Sequence, residues 1–160
     1  MQIAGILKNS VVNGEGIRDV VFLQGCSHHC KGCHNPHTWN PEGGRYVSAN
    51  DIINELRESP NPVTISGGEP LEQFLLVHFL IYSLNRRQGK TTWLYTGYRF
   101  DEIDRKIWQK LSKAGVVVVV DGRYEEDKKD LALQFRGSSN QRLIDLRKTL
   151  DQGQVVLWEG

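Results

Sequence analysis

Val116-Val117-Val118-Val119-Val120, followed at once by Asp121-Gly122-Arg123, is the stretch that decides the fold. Five β-branched residues in a row disfavour a helix, and an unbroken apolar run suits a strand covered on both faces, as in a parallel sheet. Before it, Ile103, Ile107 and Leu111 recur at four-residue steps and predict an amphipathic helix ending near Gly115. Thr92-Trp93-Leu94-Tyr95 predicts a strand ahead of that helix. Leu71 to Leu84 is apolar on nearly every side and reads as a buried helix. Val63-Thr64-Ile65 is another short strand, closed by Gly67-Gly68, and Ser48 is an N-cap for a helix that carries Ile52, Ile53 and Leu56 and stops before Pro60. Val20 to Leu23 is a strand running into Gly25 and a cysteine loop. After the valines, Leu143, Leu146 and Leu150 share one side of a helix predicted over 140–150, and Val155-Val156-Leu157 reads as a last strand.

Strand–helix alternation of this kind predicts α/β architecture from βα units, with a mostly parallel sheet and right-handed crossovers. A closed eightfold barrel takes roughly 250 residues. A chain of 160 residues falls short of that, so the expectation is one domain over 1–160 built as an incomplete, open (βα) barrel. Parallel α/β folds carry their sites at the C-terminal ends of the strands. Those ends hold the cysteine loop, Ser66-Gly67-Gly68-Glu69-Pro70, Tyr95-Thr96-Gly97-Tyr98 and Asp121-Gly122-Arg123, four unusual segments aimed at one face.

Twenty basic residues against nineteen acidic ones give a net charge of +1, with no general pull toward nucleic acid or an anionic membrane. No apolar run is long enough to span a bilayer, and Met1 to Val12 lacks the apolar block of a signal peptide, so a cytoplasmic location is expected. All three cysteines lie within Cys26–Cys33. An odd, clustered set is a poor disulfide framework and points to a metal site.

Cys26-x-x-x-Cys30-x-x-Cys33 offers three thiolates from one loop, which suits soft metal chemistry. On a four-iron cube three ligands leave one iron open to a small molecule. The alternative is structural zinc, with His28, His29, His34 or His37 as fourth ligand. Zinc sites usually pair one knuckle with a second, and only His78 lies outside this loop. In Gly67-Gly68-Glu69-Pro70, two glycines allow close backbone approach to a ligand and the glutamate can accept from an ammonium group; the plainer reading is a Gly-rich turn. His28, His29 and His37 read as loop residues without a ligand role. Arg136–Arg142 carries no chemistry evident from its residue types, and Ser138-Ser139-Asn140 reads as a cap for the final helix.

Together the cysteine triad and the Gly-Gly-Glu-Pro segment resemble the radical S-adenosylmethionine (SAM) superfamily. Asn13-Gly14-Glu15-Gly16-Ile17-Arg18 leading to Gly25-Cys26, with Cys33-His34-Asn35 after it, is similar to the activating enzymes of glycyl-radical proteins. Thr38-Trp39, Trp93 to Tyr98, Val120 to Tyr124 and Arg136 to Arg142 narrow the likeness to the group acting on anaerobic (class III) ribonucleoside-triphosphate reductase. The resemblance implies that Cys26, Cys30 and Cys33 hold a 4Fe-4S cluster whose fourth iron binds SAM. It implies that Gly67, Gly68 and Glu69 meet the methionyl amine and that Gly32, Cys33 and His34 lie along SAM. Asp121 and Arg123 occupy the place of an Asp-x-Lys facing the SAM carboxylate in related activases. Many radical SAM proteins have an aromatic residue where this chain has Gly32, and relatives with an Asp where it has Tyr95-Thr96 can hold a monovalent cation there. The implied activity is reductive SAM cleavage that makes a glycyl radical on the reductase. The implied partners are that reductase and an electron donor such as a flavodoxin or ferredoxin. Two rival readings are a radical SAM enzyme acting on a small purine-like precursor and a zinc-stabilised binding module.

Overall fold

Gln2–Ser10 (β1), Arg18–Leu23 (β2), Arg45–Tyr46 (β3), Val63–Gly67 (β4), Thr92–Tyr95 (β5), Val116–Asp121 (β6) and Arg142–Asp145 (β7) pair into one sheet, in the order β3-β1-β2-β4-β5-β6-β7. The computed structural model describes residues 1–160. The four central strands, β2, β4, β5 and β6, run parallel, while β1, β3 and β7 are antiparallel to their neighbours. Strands β3 and β7 are the two edges, so the sheet does not close on itself.

The central strands follow chain order without a reversal, and right-handed crossovers of that kind deliver every helix to the same face. Ala49–Glu55 (α1), Phe74–Gln88 (α2), Arg105–Ala114 (α3) and Leu146–Gln152 (α4) accordingly share one core with the sheet. Ile53, Leu80, Trp108 and Leu146 meet Val21, Ile65, Leu94 and Val119 there. Helix α1 begins with a capping box, in which Ser48 Oγ accepts from Asp51 N and Asp51 returns a bond to Ser48 N. The opposite face carries no helix. Trp93, Val118 and Val120 are covered there by Phe135, Leu143 and Trp158. Below them Arg18 lies over the Trp93 ring at 5.3 Å and donates to Thr64 Oγ1 at 2.8 Å and Val63 O at 2.8 Å. Burial pulls the Arg18 guanidinium down to about 10, partly offset by Tyr95 and Glu15, which leaves it charged at neutral pH.

The five valines form β6 with one interruption. Thr92 pairs with Val116 but Trp93 with Val118, so Val117 is an extra residue, 39% exposed. Beyond this bulge Val118 and Val120 point to the helix-free face and Val119 to the helices.

Four expectations are corrected. Helix α2 is not buried all round: Val77, Leu80, Ile81 and Leu84 face the core, whereas Leu75, Leu76, Phe79 and Tyr82 are exposed. The helix expected over 140–150 begins only at Leu146, because Arg142–Asp145 pairs antiparallel with β6. Asp145 caps α4 by accepting from Lys148 N, so Ser138-Ser139-Asn140 is not its cap. Val155–Leu157 makes only an isolated bridge, Leu157 to Ile144. No helix is long and apolar enough to cross a membrane.

Candidate active site

The C-terminal ends of β2, β4, β5 and β6 border a cavity of about 670 Å³ on the helix-free side. Cys26, Cys30, Cys33, His34, Gly67, Gly68, Glu69 and Arg123 all line it. Gly32 and Asp121 do not. The three thiols are free. Their loop is fixed by the chain that returns after it: Gly25 N donates to Thr38 O at 2.7 Å and Cys26 N to Trp39 O at 3.1 Å. His29 stacks on Trp39, and Ser27 bonds Glu72 beside α2. Asn35 N points at Cys33 Sγ from 3.4 Å. Burial pushes the Cys26 and Cys30 thiols up, so their thiolates need a cationic centre. No three His, Cys, Asp or Glu side chains converge closely enough for a single metal ion. A 4Fe-4S cluster distributes its thiolates over separate irons, so a spaced triad on a cavity wall fits a cluster.

The two glycines after β4 serve the backbone first. Gly67 has φ +97°, and a Cβ there would stand 2.4 Å from Leu23 N; at Gly68 a Cβ would stand 2.2 Å from Gly25 O. This close approach lets Gly68 N donate to Leu23 O and Glu69 N to Gly25 O, each at 2.8 Å. The end of β4 is thereby tied to the residue that opens the cysteine loop.

Glu69 is 1% exposed, and its carboxylate is fully engaged by the protein. Oε1 accepts from Thr96 Oγ1 at 2.8 Å and Leu71 N at 2.9 Å; Oε2 accepts from Gly97 N and pairs with His28 Nε2, both at 2.8 Å. An ammonium group would have to displace one of these donors. Gly97 leaves room for His28, whose ring would lie 2.5 Å from a Cβ at that position. Tyr98 packs edge-on against His28 and beneath Arg123. His28, read from the sequence as a plain loop residue, is thus in contact with three of the four strand-end segments. Nothing within the cysteine loop separates it from His29; the clue lies in Thr96-Gly97-Tyr98, a side chain that holds Glu69 followed by a gap.

Asp121 is also committed. It is 1% exposed and accepts from Arg142 Nε at 3.0 Å, Arg142 Nη2 at 2.5 Å and Phe100 N at 2.7 Å. Its hydrogen bond to Arg142 draws the guanidinium's affinity for its proton above the ordinary value. Gly32 packs on Glu126, whose carboxylate would stand 2.8 Å from a Cβ there. The segment Arg136–Arg142 has a role that its composition conceals. Gln141 Nε2 donates to Gly122 O, Asn140 Nδ2 to Arg123 O, and Ser138 Oγ accepts from Glu125 N. Gly137 lies against Tyr124 and His34, which are themselves in ring contact at 4.9 Å. The segment is a brace for the loop after β6.

The family described as 4Fe-4S single cluster domain matches residues 12–144, a span that holds every cavity residue named above. Among curated proteins, the anaerobic ribonucleoside-triphosphate reductase-activating protein of Escherichia coli K12 is 36% identical over 146 residues, 86% of this chain and 94% of the relative. Its namesake from Haemophilus influenzae is 35% identical over 140 residues, 82% and 89% of the two chains. That of Enterobacteria phage T4 is 36% identical over 139 residues, 82% and 86%. With this likeness over most of its length, the chain belongs to the anaerobic ribonucleoside-triphosphate reductase-activating proteins.

Proposed function

We propose that the chain activates an anaerobic ribonucleoside-triphosphate reductase as a radical SAM enzyme, with residues 1–160 acting as one incomplete-barrel domain. The observation that carries this reading is the convergence of Cys26, Cys30 and Cys33 with the Gly67-Gly68 edge on one cavity. In support of the barrel, the helices occupy one face of the sheet and the cavity the other.

Cys26, Cys30 and Cys33 would hold a 4Fe-4S cluster. When bound and reduced, it supplies one electron to the sulfonium of SAM, which splits to methionine and a 5′-deoxyadenosyl radical able to take hydrogen from a glycine Cα of the reductase. The cofactor carries that chemistry, and the protein supplies placement, charge and exclusion of water. Gly67, Gly68 and His34 would flank SAM, with Arg123 offering a cation to its carboxylate. Glu69 and Asp121 would act at one remove, by holding the loops that present those groups. Tyr95, Val120 and Phe135 give the cavity an apolar wall. Burial lifts the Tyr95 phenol well above its ordinary range and its hydroxyl donates to Phe135 O, so it stays protonated. The reductase loop and an electron donor such as a flavodoxin or ferredoxin would approach from outside.

The test is anaerobic reconstitution with iron, sulfide, reductant and SAM, followed by assay of 5′-deoxyadenosine. With the reductase present, electron paramagnetic resonance is expected to show a glycyl doublet that collapses when glycine Cα is deuterated. Cys30→Ala is expected to lose both cluster and cleavage. Cleavage that survives that change, or consumption of a small nucleoside precursor without any protein partner, would overturn the reading.

A further inference from the structure

Arg123 has more contacts than a surface cation needs, and they differ in strength. Its pairing with Glu102 is 3.3 Å long, between side chains 43% and 37% exposed, where solvent screens most of the attraction. Its Nε donates to His28 Nδ1 at 3.2 Å, and the His28 side chain is only 5% exposed. The Tyr98 ring lies beneath the guanidinium at 5.9 Å. Nη2 donates to no acceptor of the protein.

The proton on His28 follows from its partners. Arg123 can only donate, so Nδ1 must carry a lone pair. The ring proton is then on Nε2, where Glu69 Oε2 accepts it at 2.8 Å. Glu69 is itself fixed by Thr96 Oγ1, Gly97 N and Leu71 N. A chain of bonds therefore runs from the ends of β4 and β5, through a histidine of the cysteine loop, to an arginine after β6.

We propose that His28 is a positioning residue: it holds Arg123 with Nη2 free at the cavity edge, and so sets the site's affinity for a carboxylate-bearing ligand. This rests on the functional reading above, which makes that ligand the methionyl end of SAM. His28 touches neither SAM nor iron in this role. It acts through Arg123, and Gly97 is a glycine because the imidazole takes its side-chain space.

Two readouts test it. In the cluster-free protein, nitrogen-15 resonances of His28 are expected to show the Nε2–H tautomer, with the Nδ1 signal moving in Arg123→Ala. In reconstituted protein of equal iron and sulfide content, SAM affinity by calorimetry is expected to fall about tenfold in His28→Ala and in Arg123→Ala, and no further in the double variant. His28→Asn places an acceptor near the Nδ1 position and is expected to recover most of the affinity. His28→Gln reaches the Nε2 position instead, keeps the bond to Glu69, and is expected not to. An Nδ1–H tautomer, unchanged affinity in His28→Ala, or losses that multiply in the double variant would overturn the proposal. If the loaded wild type bound no SAM, the functional reading and the ligand named here would fall, while the imidazole signals would still decide whether His28 holds Arg123.

Discussion

Asp19, near the start of β2, and Glu69, just past the end of β4, are both buried carboxylates, 0% and 1% exposed, at opposite ends of the same parallel strands. Asp19 Oδ1 accepts from Asn61 Nδ2 at 2.9 Å and Asn9 N at 3.2 Å. Beside it, Lys90 Nζ spends its protons on Ser59 O and Asn61 O. None of these residues borders the cavity. Around Glu69 the partners instead belong to cavity loops, and the bonds lead outward to an arginine with a free edge. Burying a carboxylate costs much the same at either end. At one end the network holds strands together. At the other it aims side chains at a space, which makes local disturbance a functional matter as well as a stability one.

The sharpest break in that comparison is Gly68→Val. A side chain at Gly68 meets a backbone oxygen at 2.2 Å, and that oxygen belongs to Gly25, next to Cys26. The change is therefore expected to displace the cysteine loop as well as the cavity edge, at a cost of about 3 kcal/mol or more. Iron bound after reconstitution is expected to fall below half that of wild type. Gly5→Ala is the control, since nothing lies within 4 Å of a Cβ there, and it is expected to load iron normally.

At the closed end, Asp19→Asn is expected to cost about 2–3 kcal/mol in urea denaturation while leaving cluster loading unchanged. Burial pushes the Asp19 carboxyl up, but hydrogen bonds from Ser59, Asn61 and Asn9, with the Lys90 charge, bring it below its ordinary value. A carboxyl lowered on folding stabilises fully above its unfolded pKa, about 3.9, and loses that contribution as pH falls through the folded value. Wild-type stability is expected to drop below pH ~4 more steeply than that of Asp19→Asn. Equal slopes would mean that Asp19 does not carry the effect.

Arg142→Ala falls between the two ends. It strips the buried Asp121 of its charged partner and leaves only the Phe100 N–H. Arg142 is 27% exposed, so water recovers part of the loss and the expected cost is about 2 kcal/mol, less than for a fully buried pair. Arg142→Lys is expected to restore only part of it, because two nitrogens of one guanidinium contact the carboxylate. Full rescue by lysine would show that charge alone matters here.

These contrasts also explain what was legible in the chain. The parallel strands and the cysteine loop could be read because both are local signals: β-branched runs bounded by glycine, and thiols at fixed spacing. The direction in which α2 faces could not, since Leu75 and Leu80 differ only in what lies opposite them. Leu143, Leu146 and Leu150 have helical spacing but straddle the junction of β7 and α4, and pairing with β6 decides the first of them. For Glu69 and Asp121, residue type marked buried function correctly as acceptors, but not whether protein or ligand supplies the donors. His28 was hidden for the same reason, as its partners come from three distant segments.

The smallest effect tests the link between the two ends of β6. Val117 is the extra residue of the bulge, at the start of the strand, and it is 39% exposed. Without the bulge, regular alternation of all five valines from Val116 would put Val119 on the helix-free face and Val120 among the helices, since one residue of slip exchanges the faces. With it, Val120 reaches the cavity wall. The side chain at 117 is therefore incidental, since Val117 only supplies the residue that the bulge takes up. Val117→Thr is expected to change stability by less than about 0.5 kcal/mol, whereas Val119→Thr, at 0% exposure, is expected to cost about 1–3 kcal/mol for a hydroxyl buried among apolar groups. Deleting Val117 is expected to remove the bulge and leave a regular ladder, with Val116 and Val119 still facing the helices and Val118 and Val120 the cavity side, so the variant is expected to fold and bind iron. A deletion variant that failed to fold or to bind iron would show that the bulge itself, and not only the alternation beyond it, is needed to seat the end of β6 at the cavity.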